Sequence, residues 1–302
     1  MNGKISNLCQ VASVRHYTMT EGASRGLDVI DCDNGKIRFL LNASRALDIM
    51  QLYHCGQNVS FVSKNGFVEK DDKFPRRFEG GMLYTCGLDV LGNKEGYEQH
   101  GLFHKQSAEI LRAECDENGI VVEALIRQTT LFGENLVMRR KYTSAIGDDK
   151  VTLEDTLTNC AYTDAQYCLM YHVNVGYPML DEGAKVVADI TSTTPCNDWA
   201  EKNINCALTM SDDIAGATET CYFHNLAKPS VSLVNEKIGK TFTLTYSKET
   251  LPCFLQWRSM ASGDYALGLE PCTTQFSKGI DYKILKSGEN AKFFVEFKVS
   301  EI

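Results

Sequence analysis

The sequence predicts an all-β protein, folded as one large antiparallel β-sandwich domain over residues 1–302. Strand-like segments with alternating apolar and polar residues recur along the chain, separated by short sequences typical of turns. No window shows a long apolar stripe at helical period, and no Pro-, Gly- or Ser-rich tract marks a linker. Because so many strands would leave long exposed edges, the chain has to close a barrel or pack two large sheets, and we predict packed sheets.

An antiparallel meander is predicted from residue 108 onward. The strand segments are AEILRAE, IVVEALIRQTTL, LVMRRKYTSA and KVTLEDTLTN, and the turns that follow them are DENG, FGEN, IGDD and CAYTD. The last third repeats the pattern with KTFTLTYSK, CFLQWRSM, DYALGLEP and NAKFFVEFKVS. Turn signals between alternating segments are typical of hairpin-connected strands. In DYALGLEP we expect Pro271 to end the ladder, since proline has no N–H to donate.

The composition restricts the partners and the compartment. Apolar residues make up 43% of the chain, charged residues 23%, and the net charge is -8. Binding to the phosphate backbone of a nucleic acid requires a concentrated basic surface, so we expect no nucleic-acid partner. We expect a ligand that is neutral or only locally anionic. The N-terminus lacks an apolar core of signal-peptide length, and no long apolar run suggests a membrane span. We therefore expect a cytoplasmic protein without a membrane partner.

Cysteine and histidine spacing gives little support for a metal. The twelve cysteines are scattered from Cys9 to Cys272 with no CxxC pair, and we expect most to be buried thiols. His100 and His104 stand four residues apart in HGLFH, but without the Glu that a helical zinc motif would carry. Metal binding by this pair is the weaker alternative to a loop or strand setting. We predict neither a metal nor an organic cofactor.

The stretch MYHVNVGYPMLDEG places His172 and Asn174 on one face of a predicted strand. The simpler interpretation is a core histidine whose ring nitrogens bond to neighbours. The functional one is a strand face that looks into a binding groove. Asp181 and Glu182, which follow in this stretch, are expected to be solvated charges.

Two further clusters could join such a groove. Glu270 follows an apolar strand in YALGLEPCT; it would be solvated at a strand end, but in a partly dry cleft its pKa would rise toward that of a general base. In FPRRFEGGMLYTCGLD, Arg76 and Arg77 precede a double glycine, and His100 follows after a polar loop. Arginine pairs are most often solvated, but a planar guanidinium also suits sugar hydroxyls or a phosphate.

Seven segments together resemble the aldose 1-epimerase (galactose mutarotase) superfamily, in particular a branch catalogued as a domain of unknown function. These segments lie between residues 42 and 299 and are NASRALDI, RRFEGGMLYTCGLD, HG, YHVNVGYPMLDEGA, LQW, LGLEPCT and LKSGENAKFFVEFKV. Their order and spacing carry the resemblance more than any one of them does. It implies a galactose mutarotase-like supersandwich.

The resemblance also implies an activity and a site. A strand histidine, matched by His172, donates a proton to the sugar ring oxygen, and a glutamate, matched by Glu270, removes the proton of the anomeric hydroxyl. His100 matches a histidine that assists the acid. Substrate contacts are expected from the side chains of Arg77, Arg76, Asn174, Trp257 and Asp89. For Arg45, Asp48 and Asp89 the default is a structural ion pair, with ligand contact as the alternative.

The predicted function is an isomerase that interconverts the anomers of a monosaccharide or sugar derivative. The alternative is a non-catalytic carbohydrate-binding or sensory protein on the same fold. A lyase or hydrolase is a weaker third reading, since hydrolases usually use two carboxylates and one good candidate is present. The double-glycine segment differs from the pattern of well-studied galactose mutarotases, so the resemblance does not identify the sugar or say whether it carries a phosphate. The sequence does not indicate an oligomeric state.

Overall fold

The computed structural model describes residues 3–302 and is almost entirely β-structure. The first strands are β1 (Ser13–Thr18), β2 (Asp28–Asp33), β3 (Ile37–Asn42), β4 (Asp48–His54), β5 (Gln57–Asn58) and β6 (Leu83–Leu88). The middle strands are β7 (Ala108–Asp116), β8 (Gly119–Thr129), β9 (Asn135–Ser144), β10 (Lys150–Asn159), β11 (Ala165–Val175) and β12 (Lys185–Pro195). The last strands are β13 (Thr220–Asn235), β14 (Lys240–Tyr246), β15 (Cys253–Ala261), β16 (Asp264–Cys272), β17 (Lys283–Leu285) and β18 (Asn290–Glu301).

Helical structure in the described residues is short. The α-helices are α1 (Phe74–Arg77) and α2 (Asp198–Lys202), and single 3₁₀ turns cover Leu8–Gln10, Gly22–Ser24, Phe103–Lys105 and Ile204–Cys206. Within residues 3–302 there is no helix with the length and apolar character needed to cross a bilayer.

The strands form two antiparallel sheets. The smaller sheet has five strands in the order β1-β2-β3-β4-β5. The larger sheet has thirteen, along the path β17-β11-β16-β15-β13-β14-β18-β10-β9-β8-β7, with β6 paired to β11 and β12 paired to β13. The β7 to β10 meander lies at one end of this path, and the strands that carry the candidate site lie toward the other.

One continuous apolar core joins the two sheets. It includes Ile30 and Phe39 from the small sheet together with Leu153, Phe242 and Phe297 from the large sheet, all fully buried. Strand β10 alternates buried and less buried residues along its length, as expected for a strand with one face in a core. The prediction of an all-β protein built from large antiparallel sheets is confirmed.

Strand β16 differs from the prediction at Pro271. We expected Pro271 to end the ladder, but the strand continues to Cys272, and Pro271 pairs with Phe254 of β15. The ladder between β16 and β11 is instead interrupted: Met170 pairs with Cys272 and Val173 with Leu269, and the residues between them are unpaired. The missing N–H of proline therefore coincides with a local gap between these two strands.

The prediction that most cysteines are buried is wrong. Four of the twelve cysteines are buried, four are exposed and four are intermediate. A thiol is small and only weakly polar, so strand and loop surfaces accommodate it at little cost. The buried cysteines are Cys32, Cys86, Cys168 and Cys272.

Candidate active site

A cavity of about 390 Å³ opens on the face of the large sheet formed by β11, β13, β15 and β16. Phe74 and Phe78, at and just after α1, form one wall, and the loop that carries His100 forms another. Trp257 from β15 completes an aromatic lining around His172 and Glu270. The cavity is thus built by segments that are far apart in the sequence.

His172 and Glu270 meet at the gap between β11 and β16. The Nε2 atom of His172 lies 3.3 Å from the Oε1 atom of Glu270. The two residues are 5% and 1% exposed, respectively. The Nδ1 atom of His172 and the Oε1 atom of Glu270 have no hydrogen-bond partner within the described residues. An imidazole and a carboxyl group therefore face one cavity with free hydrogen-bonding capacity.

The local sequence of β16 makes room for the carboxyl group. Gly268 and Glu270 are two residues apart and lie on the same face of the strand. A Cβ atom on Gly268 would lie 2.2 Å from Glu270 Oε1 and 3.0 Å from the Cβ atom of Trp257. The glycine in LGLE is therefore required by the packing around Glu270.

Burial favours the neutral forms of both groups. Desolvation raises the pKa of Glu270 well above its ordinary value, and the nearby carboxylate of Glu219 raises it further. Desolvation lowers the pKa of His172 well below its ordinary value, and His100 lowers it further. Burial therefore favours a protonated carboxyl group beside a neutral imidazole.

His100 is the third titratable group at the cavity. Its ring centroid lies 5.6 Å from that of His172, and its Nδ1 atom has no hydrogen-bond partner in the part of the chain that the structure describes. Burial, with a further effect of Arg77, lowers the pKa of His100 to about 4. His100 adopts a φ of 64°, and Gly101 follows with a φ of 83°. A Cβ atom on Gly101 would lie 2.4 Å from the carbonyl oxygen of Gly87, so this turn requires glycine.

Trp257 stands beside the histidine. Its ring centroid lies 5.5 Å from that of His172, and its Nε1 donates a hydrogen bond of 2.7 Å to Oε2 of Glu219. An indole face in this position can pack against the C–H face of a sugar ring. Glu219, which lines the cavity, was missed by the sequence analysis because it stands alone before β13 with no motif around it.

Neither predicted arginine lines the cavity. Arg76 is exposed. Arg77 is buried and lies next to the cavity wall, with Nη2 3.6 Å from Glu98 Oε1 and Nε 3.8 Å from Asp71 Oδ1. The positive charge of Arg77 lowers the pKa of His100. Arg77 is not among the residues that line the cavity.

Asn174 and Asp89 have structural contacts. The Asn174 side chain is fully buried, and its Nδ2 donates hydrogen bonds of 3.1 Å to the carbonyl of Gly81 and 3.0 Å to that of His172. Asp89 accepts a 3.0 Å hydrogen bond from the backbone N–H of Leu102 and lines a different cavity. Neither residue lines the cavity of His172.

Asp48 lies in a buried ion network under the site. It accepts hydrogen bonds from Thr85, from Nη1 of Arg140 at 2.5 Å and from the ring of His104 at 2.7 Å. Arg140 also contacts Asp155 at 2.7 Å. This is the structural setting that was expected for Asp48 by default.

Arg45 and His104 are also accounted for by structural contacts. The guanidinium of Arg45 donates to the backbone carbonyls of Val68 and Glu69 rather than to a carboxylate. The pair in HGLFH is split, with His100 at the cavity and His104 in the ion network. Within residues 3–302 no group of three or more His, Cys, Asp or Glu side chains is arranged to hold a metal ion.

The fold is that of galactose mutarotase-like structures. The chain is similar to the crystal structure of a candidate aldose 1-epimerase from Klebsiella pneumoniae, with a TM-score of 0.87, 20% identity, and coverage of 97% of this chain and 86% of that one. It is also similar to a galactose mutarotase-like protein from Clostridium acetobutylicum, with a TM-score of 0.72, 12% identity, and coverage of 97% and 100%.

The family is shown by the sequence itself. The chain belongs to the family described as Domain of unknown function (DUF4432), whose model matches residues 24–291. No curated protein matches the chain. The predicted branch, a domain of unknown function, is confirmed. The similarity to solved structures, at these identities, concerns the fold alone.

Proposed function

We propose that this protein is an aldose 1-epimerase-like isomerase that interconverts the anomers of a monosaccharide. The observation that carries the proposal is the 3.3 Å contact between His172 Nε2 and Glu270 Oε1 at one aromatic cavity. The interconversion needs one proton donor and one proton acceptor next to the anomeric carbon, and this pair supplies both.

The reaction balances without any other reactant. A proton is delivered to the ring oxygen O5 while another leaves the hydroxyl oxygen O1, and the C1–O5 bond breaks to give the open-chain aldehyde. Rotation about the C1–C2 bond presents the other face of the aldehyde, and O5 attacks C1 again with the proton transfers reversed. No electron is gained or lost, and the enzyme returns to its starting protonation state.

The roles follow from one shared proton. Burial favours this proton on Glu270, next to a neutral His172. Its transfer to His172, over the 3.3 Å contact, gives an imidazolium acid and a carboxylate base, which are the roles that the superfamily resemblance implies. Polar sugar hydroxyls entering the aromatic cavity stabilise this charged form. His100 assists at the acid side.

The charges around the cavity favour an uncharged sugar. Lys64 lines the cavity, but its Nζ atom forms an ion pair of 2.6 Å with Asp264. Glu219 adds a negative charge, and among the described residues that line the cavity there is no arginine. A sugar phosphate would bring a dianion to a site without a free cation, which costs binding energy. The aromatic walls instead suit the C–H faces of a neutral pyranose.

The test is the rate at which freshly dissolved anomers relax. Polarimetry or exchange NMR on a panel of neutral aldoses should show acceleration by the wild-type protein with at least one of them. Glu270→Gln and His172→Ala should each reduce that rate at least about a hundredfold, because each removes one positioned proton transfer. The exposed residues Glu249 and His16 provide matched controls, Glu249→Gln and His16→Ala, which should keep the wild-type rate.

Two outcomes would contradict the proposal. Equal rates for the wild type and both site variants would show that His172 and Glu270 do not catalyse the anomerisation. Calorimetric binding of a sugar without any acceleration of its anomerisation would instead support the non-catalytic carbohydrate-binding protein.

A further inference from the structure

A second cavity, of about 630 Å³, lies on the opposite face of β13 and β15 from the candidate active site. Two neighbouring cross-strand pairs separate the two cavities. Cys221 pairs with Trp257 and both line the active-site cavity, whereas Thr220 pairs with Arg258 and both line the second cavity. Successive strand residues point to opposite faces, so the two cavities share these strands as a common wall.

Arg258 gives the second cavity its charge. Among the described residues that line it there is no Asp, Glu or Lys, and Arg258 is the single charged side chain. The nearby Asp212 and Asp213 are exposed and do not line the cavity. A partly buried cation thus faces an open cavity in a chain whose net charge is -8.

The guanidinium of Arg258 has few partners of its own. Its Nη2 atom makes two long hydrogen bonds, of 3.5 Å to the carbonyl of Thr209 and 3.4 Å to the hydroxyl of Ser211. Its Nε atom is buried and has no hydrogen-bond partner within the described residues. No carboxylate of residues 3–302 forms an ion pair with it. Because a buried charge without a partner is costly, a bound anion would stabilise the guanidinium of Arg258.

A second hydroxyl donor lies beside the arginine. Thr220 is 3% exposed, and within the described residues its hydroxyl makes no hydrogen bond of regular geometry, with the Tyr222 hydroxyl as a polar neighbour. The outer wall is apolar, because Trp199 and Ile214 line the cavity and keep 46% and 55% of their surface exposed. A ligand that places an oxyanion at Arg258 and an apolar part against Trp199 would satisfy both features.

We propose that this second cavity is a binding site for a small organic oxyanion, a phosphate or carboxylate attached to an apolar or aromatic group. Arg258 binds two of its oxygens with the fork of Nε and Nη2, as guanidinium groups bind planar or tetrahedral oxyanions. Thr220 donates a third hydrogen bond from its hydroxyl. The site is separate from the anomerisation chemistry and stands whether or not that proposal holds.

The experiment titrates the full-length protein with three probes, inorganic phosphate, phenyl phosphate and benzoate, by isothermal calorimetry at low ionic strength. At least one aromatic probe should bind, and more tightly than inorganic phosphate, because Trp199 and Ile214 contact the ring. Arg258→Gln should weaken binding of that probe at least tenfold, since it removes the charge and the fork. The control Arg25→Gln removes one exposed positive charge elsewhere and should change binding less than twofold.

A second variant keeps the test valid if Arg258→Gln does not fold. Thr220→Val keeps the side-chain shape and should weaken the same probe about threefold or more, even if Arg258→Gln proves unstable. The proposal is overturned if no aromatic probe binds the wild type at millimolar concentration, or if Thr220→Val and Arg258→Gln bind it as well as the wild type. It is also overturned if His172→Ala, at the other cavity, abolishes the binding.

Discussion

Gly268 leaves the space that the carboxyl group of Glu270 occupies. A Cβ atom at this position would approach Glu270 Oε1 to 2.2 Å, closer than any non-bonded contact allows. Because Glu270 is held between this strand and His172, the side chain has little freedom to move aside. The position of the Glu270 carboxyl group therefore depends on a residue without a side chain.

We predict that Gly268→Ala reduces the anomerisation rate at least about tenfold, since it displaces the carboxyl group from His172. The control is Gly133→Ala in the turn between β8 and β9, where the added Cβ atom would meet the side chain of Thr130 at 3.0 Å, far from the cavity. The measurement is the initial rate of anomer relaxation by both variants. Full activity of Gly268→Ala would refute this packing argument.

Glu219 orients Trp257 through the hydrogen bond to its indole N–H. We predict that Glu219→Ala raises the KM for the sugar about tenfold with a smaller change in kcat, because one hydrogen bond that fixes the sugar-facing ring is lost. Glu219→Gln should retain most of the wild-type KM, because its amide oxygen can still accept this bond. Steady-state kinetics of both variants decide the point, and an unchanged KM in Glu219→Ala would contradict it.

The lowered pKa of His100 predicts a pH-dependent stability. The folded state resists protonation of His100 down to a pKa of about 4, whereas the unfolded chain takes up that proton near its ordinary pKa of about 6.5. The stabilising contribution of the neutral ring is thus complete above pH 6.5 and is lost as the pH falls toward 4. We expect the stability of the wild type relative to His100→Gln to decrease between pH 7 and pH 4.5 in denaturant unfolding. A difference independent of pH would contradict this expectation.

The strand pair β11 and β16 is the element that brings His172 and Glu270 together. The ladder between the two strands is interrupted here, but its register is the same on both sides, so His172 stands opposite Glu270 and their side chains meet. Asn174 of β11 donates hydrogen bonds to the carbonyls of Gly80 and Gly81, in the segment that leads into the neighbouring strand β6, and so fixes the double-glycine turn. The same amide donates to the carbonyl of His172.

We predict that Asn174→Ala destabilises the protein by about 1–3 kcal/mol, because it leaves buried carbonyl groups without their donor. Asn174→Asp should destabilise it as well, since a carboxylate of the same size cannot donate these bonds. The free energy of unfolding in urea measures both changes. A stability equal to that of the wild type would show that the amide bonds do not hold this turn.

At the scale of the whole molecule, a buried ion network joins the two sheets. Arg140 of β9, in the large sheet, is fully buried and contacts both Asp48 of β4, in the small sheet, and Asp155 of β10. Removing one member of such a network leaves uncompensated charge in the core. The network explains why Asp48 belongs to the recognisable sequence pattern without taking part in the cavity.

We predict that Arg140→Met destabilises the fold by about 3–5 kcal/mol, because two buried carboxylates lose their counter-charge. The adjacent Arg139, whose ion pair with Glu123 lies at the surface, provides the control. Arg139→Met should cost at most about 1 kcal/mol, since exposed ion pairs contribute little. Denaturant unfolding of both variants gives the comparison, and equal losses would contradict the assigned role of the network.

Local periodicity was sufficient to predict the strands of the meander and the sandwich, because each strand has its own alternation and its own turns. It was insufficient for Pro271, since whether a proline interrupts a ladder depends on which neighbour its nitrogen faces. The proton-transfer roles of His172, His100 and Glu270 stay predictions, although all three line one cavity. Arg77 and Asn174 were expected to contact a sugar but do not line the cavity, because Arg77 contacts Glu98 and Asn174 donates to the carbonyl of Gly81.

The alternation of residues in β15 carries one more consequence. Trp257 and Arg258 face opposite cavities solely because they are successive residues of one strand. Deleting a single residue upstream within β15 would exchange the faces of these two residues. The guanidinium of Arg258 would then point into the active-site cavity and the indole of Trp257 into the second cavity. Insertions and deletions in this strand should therefore be far less tolerated than point substitutions at either position.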